Sequence, residues 1–545
     1  MMKINSLLCC VVVSAAVVAG CANNPPPNGA GSGGLDNHAL GLTAETARPL
    51  PVAKVIVRPG AGAGGVYNVT DYGATGGGKM IDSPGINAAI RAASAAGGGT
   101  VRLPPGTYLS LSIELKSNIT LYLDQGAMIL AVAGPAQGHY DDAEPNPWNK
   151  YEDFGHAHWH NSLIWGVDLH DITIAGPGLI NGKGLHREDE PPDFAGDKAI
   201  ALKFCRNVTM RDFAILNGGH FGILATGLDN WTMDNVRIDT NRDGVDLDCC
   251  RNVRVSNCSV NSPSDDGICL KASYGLGIPR PCENVTITNC QVSGFVAGTF
   301  LDGTFQRGPK GSSPTGRIKF GTESNGGFKN ITISNCVFTY CRGLALETVD
   351  GGLLEDVTIT NITMRDIVNS PIFLRLGSRM RGPVTAPIGD LKRILISNVV
   401  VYNADPHFAS IISGIPGHDI EDVRLDNIHI YCQGGGTDYQ AALVPPENTD
   451  MYPEPRMFGD TPSYGFFIRH VTGLQMGDIH ITTTTPDARP PFAMSDVTNC
   501  ELRDVEADHA PGTPGMTLAN VKNLQLRRFL DAPDGLHDLI ALDQY

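Results

Sequence analysis

The chain has no excess of positive charge: 41 Lys and Arg stand against 57 Asp and Glu, a formal charge of −16. This argues against nucleic acid as a partner, because phosphate binding wants a basic face. An anionic substrate would need a local basic pocket set against the general field. Beyond the N-terminus no run is apolar enough to span a bilayer. The 14 cysteines contain no Cys-x-x-Cys pair. Cys258, Cys290 and Cys336 instead fill the same slot of one repeated phrase, the pattern of small thiols stacked in an interior. A leucine-rich solenoid pattern is also missing. What abounds is glycine (64) and proline (36), among short Val/Ile runs, which together read as an all-β chain rich in turns.

The opening "MMKINSLLCCVVVSAAVVAGC" sets Lys3 before a short apolar run that ends in small residues. This reads as a secretion signal, too short for a membrane span. "VAGC" at 18–21 resembles the bacterial lipoprotein cleavage box, so residues 1–21 are expected to be a lipoprotein-type signal peptide with Cys21 as the lipidated residue. The Pro/Gly/Asn-rich stretch that follows suits a tether over 22–64. The implied location is the cell envelope, either lipid-anchored to the outer membrane or periplasmic and secreted. Membrane contact is expected through the lipid alone.

A length of 545 residues suggests two or three domains unless the fold is one long repeat. One phrase does recur: "NVTMRDFAI" at 207, "NWTMDNVRI" at 230, "NVRVSNCSV" at 252, "NVTITNCQV" at 284, "NITISNCVF" at 330 and "DVTITNITM" at 356. Each copy has alternating apolar residues, a polar corner and a second short strand. A unit this short cannot bury its own apolar face, so copies must stack. The expected fold is all-β, a single-stranded right-handed parallel β-helix over 65–530, with 531–545 as a C-terminal tail. "SPGINAAIRAASAA" before the first coils reads as a helix with Ser83 as N-cap, capping the open end of the stack.

The stretch "NSPSDDGICLK" places Asp265 and Asp266 side by side, and Asp243 in "NRDGVDLD" lies 22 residues earlier, one minimum coil. Equivalent positions on neighbouring coils sit about 4.8 Å apart, so three carboxylates converge on one surface. Acids that close raise at least one pKa, leaving one protonated while another is ionised. Hydrolysis of a glycosidic bond needs that division. A calcium site or turn aspartates are the alternatives; turn aspartates account for a single Asp and poorly for a matched trio.

With these motifs the chain resembles glycoside hydrolase family 28, the polygalacturonase family, in a bacterial form. "NRDGVDLD" is similar to the family's Asn-Thr-Asp-Gly-(Ile/Val)-Asp segment, with Arg242 replacing Thr. "SDDGICLK" is similar to its Asp-Asp-Cys-Ile motif, with Gly267 in the cysteine's slot and Cys269 shifted. "YNVTDYGA", "LYLDQGAMILA" and "GPGLINGKG" extend the resemblance over most of 65–530. It implies that Asp265 is the general acid, that Asp243 and Asp266 hold and deprotonate water, and that the anomeric carbon inverts. Carboxylate spacing alone would point to retention; inversion comes from the resemblance. Pectic polysaccharide or its oligosaccharides are the implied substrate, with no cofactor, no metal, and a monomer as the working unit.

The chain departs from the family where the substrate carboxylate is gripped. In "TGRIKFGTESNGG", Arg317 stands where the family has a histidine, and "GRIK" falls one coil before the family's Arg-Ile-Lys. In "RGLALETVDGG", Ala345 and Glu347 stand at the clamp positions. An anion would then be held by Arg317, Lys319, Lys271 or Arg375, or the sugar at the cleaved bond is neutral, such as rhamnose. Two inserted loops are candidates for the cleft walls. "HYDDAEPNPWNKYEDFGHAHWHN" offers Tyr140, Trp148, Tyr151 and Trp159 for stacking on sugars, and its histidines lack a fixed metal-ligand spacing. "VPPENTDMYPEPRMFGDTPSYGFFIRH" is a candidate to close a subsite.

Overall fold

The computed structural model describes residues 49–544 apart from 59–61, 63, 154, 189–190, 384–385 and 531. The expected signal peptide, Cys21 and most of the tether lie outside the described residues. From Gly65 onwards the chain winds as a right-handed parallel β-helix, as expected. Its middle coils carry three strands each, and each strand pairs in parallel with its counterpart one coil on. One column runs through Phe221–Thr226, Asp243–Asp248 and Ile268–Lys271. A second runs through Asp229–Asp234, Arg251–Ser256 and Cys282–Thr288, and a third through Arg237–Asp239, Ser259–Asn261 and Gln291–Ser293. From Phe328–Thr339 the second and third strands fuse into one long bent strand.

The alternation read in the repeats is what fills the interior. Val253, Val255 and Val260 point inward on one coil, and Val285, Ile287 and Val292 stack on them in the next. Each such side chain loses water on all sides, worth about 1.5–3 kcal/mol apiece. The thiols of Cys258, Cys290 and Cys336 belong to this interior and are unbridged.

The polar corners carry the turn. Asn207, Asn230, Asn252, Asn284 and Asn330 all adopt positive φ, between 55° and 57°, a left-handed conformation that asparagine tolerates better than most residues. Their amides form a ladder: Asn230 donates to Asn207 at 3.1 Å, Asn252 to Asn230 at 3.3 Å, Asn284 to Asn252 at 3.1 Å and Asn330 to Asn284 at 2.7 Å. A second ladder links Asn289, Asn335, Asn361, Asn398 and Asn427.

The first helix, Ser83–Ala95, caps the N-terminal end with Ile86, Ala89, Ile90 and Ala93 turned into the core. Its N-cap is Asp82 and not Ser83. The Asp82 carboxylate instead accepts from the backbone of Thr75 and Gly76, and Ser83 Oγ accepts from Leu111 N–H, so both side chains brace neighbouring turns. At the other end Gly535–Gln544, within the segment expected as a tail, runs antiparallel to Met516–Phe529 and pairs with the last parallel edge.

Candidate active site

The first column of strands positions the site. Its inward residues, such as Val245, Leu247, Ile268 and Leu270, belong to the core. Its outward residues are polar where an apolar side chain would otherwise serve: Asp246, Asp248, Lys271, Lys319 and Glu347 are all buried. They are buried because loops cover this face, so every charge there needs a partner.

Val245 pairs with Ile268 and Asp246 with Cys269, which sets Asp243 level with Asp266; Asp265 is one residue earlier. Backbone bonds Gly244 N–H to Asp266 O (3.0 Å) and Val245 N–H to Gly267 O (3.0 Å) lock that register. The coils approach closely here. A Cβ on Gly244 would lie 2.4 Å from Gly267 O and 2.3 Å from Val260 Cγ1. Glycine is therefore required between Asp243 and Val245, whatever the acids do.

The trio converges as the sequence implied: one carboxylate oxygen from each of Asp243, Asp265 and Asp266 lies within 4.8 Å of the others. Their surroundings differ. Asp243 and Asp266 are buried, whereas the Asp265 side chain keeps 28% of its exposure. Burial pushes the Asp243 carboxyl well above the usual range, and Asp265 and Asp246 add repulsion. Asp265 is also raised, by desolvation and by Asp266, with Arg242 opposing from 3.1 Å. Asp266 goes the other way. Burial alone would raise it, but Lys319 at 3.3 Å and Arg317 at 2.9 Å outweigh burial and bring it down to about 2. One carboxylate is held ionised between two acids inclined to keep their protons, the division that acid–base chemistry uses.

The four basic candidates separate. Lys319 sits on the next strand, Ile318–Phe320, where it pairs with Cys269, and Arg317 immediately precedes that strand. Both face Glu347 as well, at 3.8 and 3.7 Å. Ala345 lies one coil on, beside Lys319, and is fully buried. Burial and the nearby carboxylates of Glu454 and Asp266 raise Glu347 to about 7, although Lys319 and Arg317 oppose. Lys271 is spent on Glu323 at 3.0 Å and lies 3.9 Å from Asp246. Arg375 is a correction: it lies beyond the cluster, beside Glu347 on the next coil, and donates to the carbonyls of Gly414, Glu447 and Asn448 and to Ser413. Its guanidinium pins the second inserted loop and is not available to an anion at the acids.

The aromatic candidates separate too. Tyr140 and Trp159 are buried; Tyr140 donates to Val132 O and Trp159 Nε1 to Thr226 Oγ1, so neither offers a face to a sugar. Trp148 and Tyr151 stack on one another, with Tyr274 edge-on to both, and all three are half-buried.

Several site residues escaped the sequence reading. His156, from the first inserted loop, is buried with Nε2 3.1 Å from Asp246, and Asp243 completes that group. From the second loop, Glu454 accepts from Arg317 and pairs ionically with Arg342 at 2.9 Å, and Tyr452 OH accepts from Lys319 at 3.2 Å. The only sequence signal was that both loops interrupt the repeat; Arg317 and Glu454 lie 137 positions apart.

This architecture is a right-handed parallel β-helix. Residues 66–142 match the family model described as rhamnogalacturonase A/epimerase, pectate lyase-like, and residues 193–307 match that of the right handed beta helix region. The chain is 23% identical over 319 residues to a probable polygalacturonase of Vitis vinifera, covering 55% of this chain and 60% of that protein. It is 22% identical over 374 residues to an exo-poly-alpha-D-galacturonosidase of Dickeya chrysanthemi, covering 57% of each. It thus spans less than two thirds of the length of these two curated relatives. Among solved structures, the Yersinia enterocolitica family 28 exopolygalacturonase superposes with a TM-score of 0.59 at 18% identity, over 87% of this chain and 79% of that one.

Proposed function

We propose that the protein is a polygalacturonase-like glycoside hydrolase that cleaves pectic polysaccharide or its oligosaccharides by acid–base catalysis. The single observation that carries this is the convergence of Asp243, Asp265 and Asp266, one carboxylate oxygen of each within 4.8 Å of the others. Asp265 is the most exposed of the three and inclined to keep its proton, so it protonates the leaving oxygen. Asp266 is ionised and accepts a proton from water. Asp243 holds that water beside Asp266. We assign inversion from the resemblance to glycoside hydrolase family 28, since the close spacing of the trio would by itself point to retention. The names of the curated relatives, which are polygalacturonases, support the substrate class.

A second reading concerns the sugar at the cleaved bond. Arg317 and Lys319 are occupied by Asp266, Glu347 and Glu454, which favours a neutral residue there, such as an α-L-rhamnoside, over a uronate. The test is the release of reducing ends from a panel of pectic fragments, with and without chelator. Chelator-resistant release of saturated fragments supports the hydrolase. Unsaturated products would make it a lyase, and no cleavage by the folded protein would leave a glycan-binding β-helix.

We further propose that Cys21 carries the lipid that holds the enzyme at the cell envelope. Lipidation acts on location and not on chemistry, so Cys21→Ser should move the protein out of the membrane fraction at unchanged specific activity. A wild-type protein already wholly in the soluble fraction would refute it.

A further inference from the structure

The second inserted loop does more than wall the cleft. Two arginines pin the arm that leads to its tip: Arg375 donates to the carbonyls of Glu447 and Asn448, and Arg469 to those of Pro445 and Pro446. Beyond the tip, Phe458 packs edge-on against Phe373 and Phe467, and Asn448 donates across the loop to Met457 O at 2.6 Å. The tip between these anchors carries Tyr452 and Glu454 to the cations next to Asp266. Glu454 Oε1 accepts from the guanidinium of Arg317 and forms an ion pair with that of Arg342 at 2.9 Å. Its second oxygen is enclosed and has no hydrogen-bond partner among the described residues.

Three cations, Arg317, Lys319 and Arg342, face three carboxylates: Asp266, Glu347 and Glu454. Asp266 belongs to the acid trio, and Glu347 is fully buried on the strand wall. Only Glu454 comes from a loop and keeps partial exposure. It occupies the position from which a sugar carboxylate could reach both arginines. Without it the pocket would carry an unmatched positive charge beside the reacting bond, and a buried unpaired charge is costly enough to recruit an anion.

We propose that Glu454 is a built-in stand-in for a substrate carboxylate, filling the Arg317–Arg342 pocket so that the sugar beside the cleaved bond is taken uncharged. This rests on the hydrolase reading above and deepens it. Glu454 determines specificity and takes no part in proton transfer. A free uronate must either displace it or meet it at close range, and like charges at such contacts weaken binding. Removing the carboxylate should turn a pocket that rejects uronate into one that holds it.

The test uses a matched pair of probes, an α-linked oligogalacturonate and its methyl ester, which differ in charge and little in shape. kcat/KM for each is measured with wild type, Glu454→Gln and Glu454→Ala; Gln keeps the shape of the side chain and Ala opens the space. Binding of both probes is measured in parallel by calorimetry on the same proteins. Wild type should favour the ester. Both variants should raise the acid-to-ester ratio by roughly tenfold or more, the scale of one charge-assisted contact. A merely structural role would lower both rates together and leave that ratio in place. If all three proteins cleave and the ratio is unchanged, the inference is overturned while the hydrolase reading stands. If none cleaves either probe, the hydrolase reading loses support, and the ratio of the two binding constants then decides the inference: unchanged overturns it, a tenfold shift upholds it.

Discussion

Two polar stacks run along the same helix at the same one-coil spacing. The asparagine ladder through Asn207, Asn230, Asn252 and Asn284 is neutral and exposed, and each amide both donates and accepts. The acid stack of Asp243 and Asp266, with Asp265 beside it, is charged and mostly buried, and carboxylates cannot satisfy one another in that way. Coil geometry brings side chains together in both places. What differs is whether the neighbours complete each other or must be completed from outside. The ladder is self-sufficient and holds corners. The acids need Arg317, Lys319 and Arg242 around them, and that dependence lets their protons be set apart.

The sharpest way to break this contrast is to remove an outside partner. Arg317→Ala leaves Asp266, Glu347 and Glu454 short of a cation, and losing one member of a buried pair costs about 3–5 kcal/mol. Asp266 has its pKa depressed in the folded state, to about 2, from about 3.9 in the unfolded chain. The stabilisation from its ion pairs is therefore fully present above about pH 4 and fades as the pH falls towards about 2. Denaturation curves should show the variant losing most relative to wild type above pH 4 and least near pH 2. Its pH–rate profile should also lose activity at a higher pH on the acid side, because Asp266 then protonates sooner.

Next in size, Asp265→Asn should cut turnover by at least about two orders of magnitude, the usual contribution of a general acid, while its melting curve stays close to wild type. Near-normal turnover in that folded variant would remove Asp265 from the mechanism. A smaller effect of opposite sign is expected from Asp243→Asn. The Asp243 pKa is raised in the folded state, so its carboxyl costs stability as the pH rises above about 4 towards the raised value. The amide should therefore stabilise the protein at neutral pH, by about 1 kcal/mol, while activity falls. A loss of stability at pH 7 would mean that the acids are not held against their own repulsion. Smallest of all, Asn230→Ala in the ladder should cost about 1 kcal/mol with no change in turnover or pH profile. If it altered the pH profile, the two stacks would not be independent.

The same contrast explains what could be read from sequence. The ladder repeats, so its phrases exposed the fold, the coil repeat and the polar corners; that the corner asparagines take positive φ came only with the structure. The acids were found because "NRDGVDLD" and "SDDGICLK" lie one coil apart; that spacing could not tell that Asp243 is level with Asp266 and not with Asp265, since a turn residue more or less leaves the phrase unchanged. Burial was beyond reach. Trp159 and Tyr140 look like sugar-stacking rings in a loop, yet both are folded under it. Arg375 looked like a free cation because the carbonyls that consume it come from a loop some 70 positions away. Glu454 and His156 reach the site through irregular loops, where no period announces a contact.

Product analysis on pectic oligosaccharides, followed by NMR from the first turnovers, tests the central claim most directly. The account predicts a saturated new reducing end of inverted configuration, formed by wild type and lost in Asp265→Asn. A product with a new double bond, or one of retained configuration, would contradict the roles given to the three aspartates.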